Sequence, residues 1–344
     1  MTNANPKVSV VCAWYNRADY VRDTVDSLLA QDLEDYEIII VNDGSPDPRV
    51  REILDSYDDR RLRVIHQENT GFVGAIRRAI EESSAPFIAI QGAGDVSFKT
   101  RLRIQAQYLQ ENLECIGLGC RREQVTFGKD RSKTRAVIEG VSKKRIERSD
   151  FLGDENPFTH GEVMFRRSIY EQGGGYREFF RFSQDRDLWL RMSELGYFSL
   201  INDVLYQRRS FEEDGVSASV KKGITQIQLS SFAKQCAHDR DRYGVDMVDL
   251  FGCQAGFFNY GSKELAKSLS RLAIKYWYFS YNKSALMLAR QSINEKFTLQ
   301  GLFSWLFVLL SEKQNWLGKL SKFILSRINF NDKRIPEPLT REES

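Results

Sequence analysis

Glu37-Ile-Ile-Ile-Val-Asn-Asp-Gly-Ser-Pro-Asp47 decides the fold of this 344-residue chain. A short apolar run of strand type ends abruptly in the turn-forming cluster Asn42-Asp-Gly-Ser-Pro46. Working back, Val8-Ser-Val-Val-Cys12 is a second such run, broken at Ala13-Trp-Tyr-Asn16. Val21, Val25, Leu28 and Leu29 then share one helical face. Working forward, a helix to about Tyr57 precedes the strand Leu62-Arg-Val-Ile65, and a helix from about Gly71 to Glu82 precedes the strand Phe87-Ile-Ala-Ile90. Strands separated by helices of this length need right-handed crossovers, and so predict a largely parallel sheet. Ligands of such sheets bind beyond the carboxyl ends of the strands, which singles out positions 13–16, 42–45, 67–71 and 91–97. Asp43 is suited to accept a hydrogen bond from the ring N–H of a pyrimidine. Asp-Gly is equally the composition of a plain tight turn, and the pair alone leaves both readings open.

Hydrophobic residues make up 42% and charged residues 28%, the balance of an ordinary globular protein. A net charge of +3 is too small to imply nucleic acid as a partner. The 5 cysteines are odd in number and form no CxxC pair, which favours a reducing, cytoplasmic setting. Met1 to Lys7 lacks the apolar core of a signal peptide, so export by that route is not expected. His66, His160 and His238 have no clustered cysteines beside them, which argues against a zinc site.

The string Val8-Ser-Val-Val-Cys-Ala-Trp-Tyr-Asn-Arg17 resembles the opening strand and loop of family 2 glycosyltransferases, which have the GT-A fold. The stretch 37–47 is similar to the second signature of that family, and Gln67-Glu-Asn-Thr-Gly71 to the segment before its third helix. Several motifs in order form a specific signal where one alone is weak. The resemblance covers roughly residues 7–215. It implies that Ala13 and Tyr15 line a nucleotide pocket and that Asp43 reads the base, typically uracil. Where the family often has Pro, this chain has Ala13.

One motif departs from the family. The usual Asp-X-Asp after the fourth strand, whose carboxylates hold a divalent cation, reads Gln91-Gly-Ala-Gly-Asp-Val-Ser97 here. Gly92 and Gly94 stand at the two acidic positions and only Asp95 remains. A departing nucleoside diphosphate gains negative charge that Mg²⁺ or Mn²⁺ normally neutralises. Since magnesium can be held by one or two carboxylates plus phosphate and water, Asp95 is the expected metal and donor ligand. The alternatives are metal-independent chemistry, with Arg77 or Arg78 near the phosphates, and binding without turnover. For both arginines a solvated helix face is the simpler reading.

The acceptor half of the family domain is resembled by Pro157-Phe-Thr-His-Gly-Glu-Val-Met-Phe-Arg-Arg167, the glycine turn Gly173-Gly-Gly-Tyr176 and Phe182-Ser-Gln-Asp-Arg-Asp-Leu-Trp-Leu-Arg191. The last of these implies that Asp185 is the catalytic base that deprotonates the acceptor hydroxyl. Gln184 replaces the usual Glu. An Asp in a first helical turn after an N-capping Ser183 would also be favoured on structural grounds alone. Leu188, Met192 and Leu195 are expected in the core. His160 is a candidate acceptor contact, and Arg208 or Arg209 a candidate cation toward the diphosphate, in a segment where the family commonly has a histidine.

Past residue 218 the resemblance fades. Leu265, Leu269, Leu272 and Tyr276 predict an amphipathic helix, Tyr281-Asn-Lys-Ser284 a turn, and residues 285–293 a returning helix. Leu302-Phe-Ser-Trp-Leu-Phe-Val-Leu-Leu310 is shorter than the ~20 residues a membrane span needs. Lys313, Trp316, Lys319, Leu320, Lys322, Phe323 and Arg327 continue it as a basic amphipathic helix. Such a helix suits either a membrane interface at the inner face or a docked position with a solvated basic side. The expected organisation is a GT-A α/β domain over 1–218, a helical region over 219–330 and a tail over 331–344. The expected activity is inverting transfer of a sugar from a nucleotide-diphosphate donor, of the uridine type, to a hydroxyl of a saccharide or lipid-linked acceptor, in surface polysaccharide or glycolipid synthesis. The competing expectation is a catalytically weak or inactive domain that binds nucleotide sugar as a scaffold subunit.

Overall fold

The computed structural model describes residues 5–127, 133–138, 143–153, 156–211 and 220–313. The chain divides into two compact units, Met1–Glu213 and Asp214–Ser344.

In the first unit, strands β1 (Val8–Trp14), β2 (Tyr36–Asp43), β3 (Leu62–Gln67) and β4 (Phe87–Ile90) alternate with helices α1 (Val21–Leu29), α2 (Pro48–Asp55) and α3 (Gly71–Glu81). Helix α2 starts where the local chemistry dictates: Asp47 caps it by accepting the Arg49 N–H at 3.0 Å, and Pro48 occupies the first turn. The strands are nearly continuous runs of apolar residues because both faces of this part of the sheet are covered. Val8, Val10, Cys12 and Trp14 pack with Val25, Leu28, Ile38 and Ile40 in one core. Val11, Ile39 and Val41 point the other way and are equally buried. Full burial of each such aliphatic side chain contributes about 1.5–3 kcal/mol.

Further along come β5 (Val96–Ser97), α4 (Arg101–Glu111), β6 (Cys115–Phe127), β7 (Lys133–Ile138), α5 (Arg148–Phe151), β8 (Met164–Arg166), α6 (Arg167–Gln172), α7 (Gln184–Met192) and β9 (Tyr197–Phe211). The sheet order is β3-β2-β1-β4-β8-β6-β9-β5, with β7 paired to β6. β1 pairs in parallel with both β2 and β4, and β2 in parallel with β3. This half matches the expected crossovers. Beyond it the sheet is mixed: β8 is antiparallel to β4 and β6, β7 to β6 and β5 to β9, while β6 and β9 run parallel. Because successive strands leave β1 first toward β2 and later toward β4, the carboxyl ends of β1 and β4 flank a topological switch point, where such sheets bind ligands.

The second unit holds α8 (Val220–Tyr243), α9 (Met247–Phe251), α10 (Lys263–Tyr278), α11 (Asn282–Glu295) and α12 (Leu299–Lys313). Leu265, Leu269, Tyr276 and Trp277 of α10 pack with Leu288 of α11 and Val308 of α12. The turn expected at 281–284 is shorter than its composition suggests. Ser280, at φ 69°, and Tyr281 make the reversal, and α11 starts at Asn282. The apolar run 302–310 lies within α12, where Val308 is buried but Phe303, Leu306 and Leu310 are 66%, 40% and 50% exposed. Among the described residues no helix is long and apolar enough to cross a membrane. Trp316, Lys319, Leu320, Lys322, Phe323, Arg327 and the tail 331–344 lie outside the described residues.

Candidate functional site

β2 runs two residues further than its apolar run, so Asp43 is the last residue of the strand rather than part of a free turn. Its side chain is buried, and Oδ1 accepts from Thr70 N–H at 2.8 Å, Thr70 Oγ1 at 3.1 Å and Gln67 Nε2 at 2.8 Å. Among the described residues Oδ2 takes no hydrogen bond, so the carboxylate is oriented by one oxygen and offers the other. Gly44, at φ +66°, lies so close to Asn69 that an added Cβ would be 2.7 Å from its N. The Asp-Gly pair is thus fixed against 67–71, the segment the sequence placed beside it. From β1, half-buried Ala13 and 47%-exposed Tyr15 lead into Asn16 and Arg17, both left-handed at φ 56° and 59°. Two such non-glycine residues in succession are strained, a feature that clusters at functional sites. Asn16 N–H bonds Ser45 Oγ at 2.9 Å, tying the β1 loop to the β2 loop.

After β4 the chain turns through 91–95 over a polar scaffold. Arg101 is fully buried beneath it, donating to Ile90 O (2.8 Å), Gly161 O (2.9 Å), Gln91 Oε1 (3.1 Å) and Ser97 Oγ (2.8 Å). Its guanidinium lies 4.8 Å from the Tyr206 ring centroid. Asp95 turns inward: Oδ2 accepts from Tyr206 Oη at 2.7 Å and Oδ1 from Arg209 N–H at 2.7 Å. Tyr206 Oη in turn accepts from Gly92 N–H at 2.9 Å. Burial pushes the Asp95 carboxyl above its ordinary range, partly offset by these two bonds and by Arg208 and Arg17. The metal expectation meets this donor set directly. Both oxygens of the one remaining carboxylate are engaged by protein, and among the described residues no group of three or more His, Cys, Asp or Glu could hold a metal ion. In this arrangement Asp95 offers a Mg²⁺ or Mn²⁺ ion no oxygen that is not already hydrogen-bonded to protein.

On the acceptor side, the two aspartates at the start of α7 have different partners. Asp187 is buried and ion-paired to Arg177 and Arg191, the latter at 2.8 Å. Arg191 also donates to Gly173 O and Gly175 O, anchoring the glycine turn. Asp185 is half-buried; it accepts its neighbour Arg186 N–H at 2.9 Å and Asn156 Nδ2 at 3.3 Å, and no cation pairs with it among the described residues. Ser183 makes no side-chain cap and sits at φ 55°, so the capping expectation fails where the backbone is strained. Leu195 is 43% exposed, because α7 ends at Met192 and the helical spacing no longer applies.

His160 shares a 2.5 Å hydrogen bond with Tyr176 Oη and packs edge-on against Phe72 of α3, ring centroids 5.4 Å apart. Burial pulls its basicity down, while Asp185 and Glu162 act in the opposite direction. Gln184 is half-buried at the first position of α7.

The arginines divide. Arg209 gives its backbone N–H to Asp95, but its guanidinium bonds Asp23 at 2.7 Å and lies over Tyr20 and Phe127, so that side chain is committed elsewhere. Arg208 is half-buried and acts electrostatically on Asp95. Arg77 pairs with Glu178 at 2.9 Å and Arg78 reaches Gln67, as on a solvated helix face. Three residues that complete the 91–95 loop had no assigned role in the sequence reading: Tyr206, Arg101 and Arg17. Their signal was weak, since Tyr206 and Arg101 become scaffold only when distant strands meet.

The family model for glycosyl transferase family 2 matches residues 9–174, ending before α7. The O-antigen biosynthesis glycosyltransferase WbnJ of Escherichia coli is 30% identical over 190 residues, 54% of this chain and 71% of that protein. Bacillus subtilis EpsE, which carries a glycosyltransferase name, is 27% identical over 238 residues, 66% of this chain and 82% of that protein. Among solved structures, S. aureus TarS 1–349 in complex with UDP-GlcNAc aligns with a TM-score of 0.57 at 14% identity, covering 90% of this chain and 92% of that one. At that identity the likeness is one of fold. The chain belongs to glycosyltransferase family 2, with a GT-A α/β domain followed by a helical region, and is an enzyme of the glycosyltransferase class.

Proposed function

We propose that the protein is an inverting glycosyltransferase that moves a sugar from a uridine-diphosphate donor to a hydroxyl of a saccharide acceptor in surface polysaccharide synthesis. The observation that carries this reading is the contrast within α7: Asp187 is consumed by two arginines, while Asp185 faces no cation and remains available as a base. A carboxylate so placed can take the acceptor proton as the hydroxyl attacks the anomeric carbon opposite the diphosphate. Asp43 Oδ2 would accept the ring N–H of uracil, and His160 with Tyr176 would contact the acceptor. UDP-GlcNAc bound to TarS and the O-antigen role in the name of WbnJ support the donor and acceptor classes.

The test uses water as acceptor. The chain is incubated with α-linked UDP-GlcNAc and the first anomer of released sugar is followed by proton NMR. Initial β-anomer supports inversion; initial α-anomer refutes it. The loss of acidic side chains at Gly92 and Gly94 favours a second reading, a nucleotide-sugar-binding scaffold subunit. Binding of UDP-GlcNAc with no turnover to water or saccharide would support it. The exposed Phe303, Leu306 and Leu310 of α12 suit a peripheral position on a membrane carrying a lipid-linked acceptor.

A further inference from the structure

We propose that this enzyme holds the donor diphosphate without a divalent cation, by the guanidinium groups of Arg17 and Arg208. The inference rests on the donor reading above and concerns the same site.

The acidic positions of the family motif are not merely vacated; the fold around them has closed. A Cβ at Gly92 would overlap Asp95 Oδ2 outright and lie 3.0 Å from Asp95 Cγ and 3.2 Å from Tyr206 Oη. Gly94 sits at φ +94°, a conformation an aspartate adopts only under strain. The one remaining carboxylate is Asp95, and its oxygens are taken by Tyr206 Oη and Arg209 N–H.

Two arginines bear on this loop. Arg17 and Arg208 both act on Asp95, so a dication placed there would meet two guanidinium groups and a single carboxylate. A diphosphate at the same place meets the opposite sign. Arg17 is set by its left-handed backbone at the end of β1, and its Nη1 donates to Ala93 O of the 91–95 loop at 2.7 Å. Arg208 follows Tyr206 by two residues in β9, so the two side chains leave the same face of the strand. Among the described residues no hydrogen bond or ion pair engages the Arg208 guanidinium. Guanidinium groups bind phosphate oxygens through paired N–H donors, and they stabilise the charge that grows on a departing diphosphate.

The experiment is calorimetric titration of the full chain with UDP, once in excess EDTA and once with Mn²⁺, with uridine as a phosphate-free control. It is repeated with Arg208→Gln, which keeps much of the side-chain volume. The expected result is a UDP Kd equal within about twofold in the two buffers. Arg208→Gln should then weaken UDP by about tenfold or more while leaving uridine unchanged. Unchanged uridine binding also reports that the variant is folded. UDP binding that is lost in EDTA and restored by Mn²⁺ would overturn this inference and leave the donor reading standing, as would an Arg208→Gln variant with wild-type UDP affinity. Absence of UDP and uridine binding in both buffers would overturn the donor reading, and this inference with it.

Discussion

Gly92→Ala adds a single methyl group, and the structure gives its cost. The new carbon would overlap Asp95 Oδ2 and press to 3.0 Å from Asp95 Cγ and 3.2 Å from Tyr206 Oη. Relief requires moving either Asp95, which breaks its 2.7 Å bonds to Tyr206 and Arg209, or Tyr206, which also receives Gly92 N–H at 2.9 Å. Overpacking of this kind costs about 1–3 kcal/mol. Losing one hydrogen bond to a buried charged group adds about 1.5–3 kcal/mol. The sum, about 2.5–6 kcal/mol, corresponds to a drop in Tm on the order of 10 °C for a domain of this size. The assay is thermal unfolding of the wild type, Gly92→Ala, Asp95→Ala and the double variant. Because Asp95→Ala removes the atoms that the methyl group strikes, the glycine substitution should cost about 1–3 kcal/mol less in that background. A Gly92→Ala protein melting within about 1 °C of wild type, or strict additivity in the cycle, would refute the closed-loop reasoning.

Asp187→Asn should destabilise the first unit by about 3–5 kcal/mol, since it takes the carboxylate from buried Arg191 and partly buried Arg177. Burial opposes the Asp187 charge, but Arg191 and Arg177 outweigh it and hold the carboxyl below its ordinary value. The stabilisation is therefore complete above the unfolded value near ~3.9 and is lost as pH falls through the lowered folded value. Urea midpoints should drop below about pH 4 in the wild type and change less in the variant, and parallel profiles would contradict this. Asp43→Ala should weaken UDP by about tenfold or more in a calorimetric titration, because it removes the acceptor held by Thr70 and Gln67. Equal affinity would remove Asp43 from the base pocket. Phe303→Glu with Leu306→Glu should reduce co-sedimentation with anionic vesicles several-fold, and unchanged sedimentation would remove α12 from any membrane contact.

The parallel half of the sheet was legible because each strand is a closed apolar run bounded by turn residues, as in 8–12 and 37–41. Its binding edge followed from topology alone. β6 and β9 were harder to read, since residues 115–127 and 197–211 mix charged and apolar side chains and pair only with partners distant in sequence. Asp185 could be singled out from its motif, but its separation from Asp187 needed Arg177 and Arg191 in place. The position of Asp95 was readable; its orientation was not, because that depends on Tyr206, 111 residues away, and on an Arg209 backbone N–H. Leu195 shows the limit of periodicity, which continues past the last hydrogen-bonded turn of a helix while the helix itself does not.

The central claim, that Asp185 is the base of a sugar transfer, is tested most directly by the rate of UDP release from UDP-GlcNAc in wild type and Asp185→Asn, at matched UDP affinity. The expected result is a fall of about 10²–10⁴-fold with binding unchanged. An Asp185→Asn protein that releases UDP at the wild-type rate would contradict it.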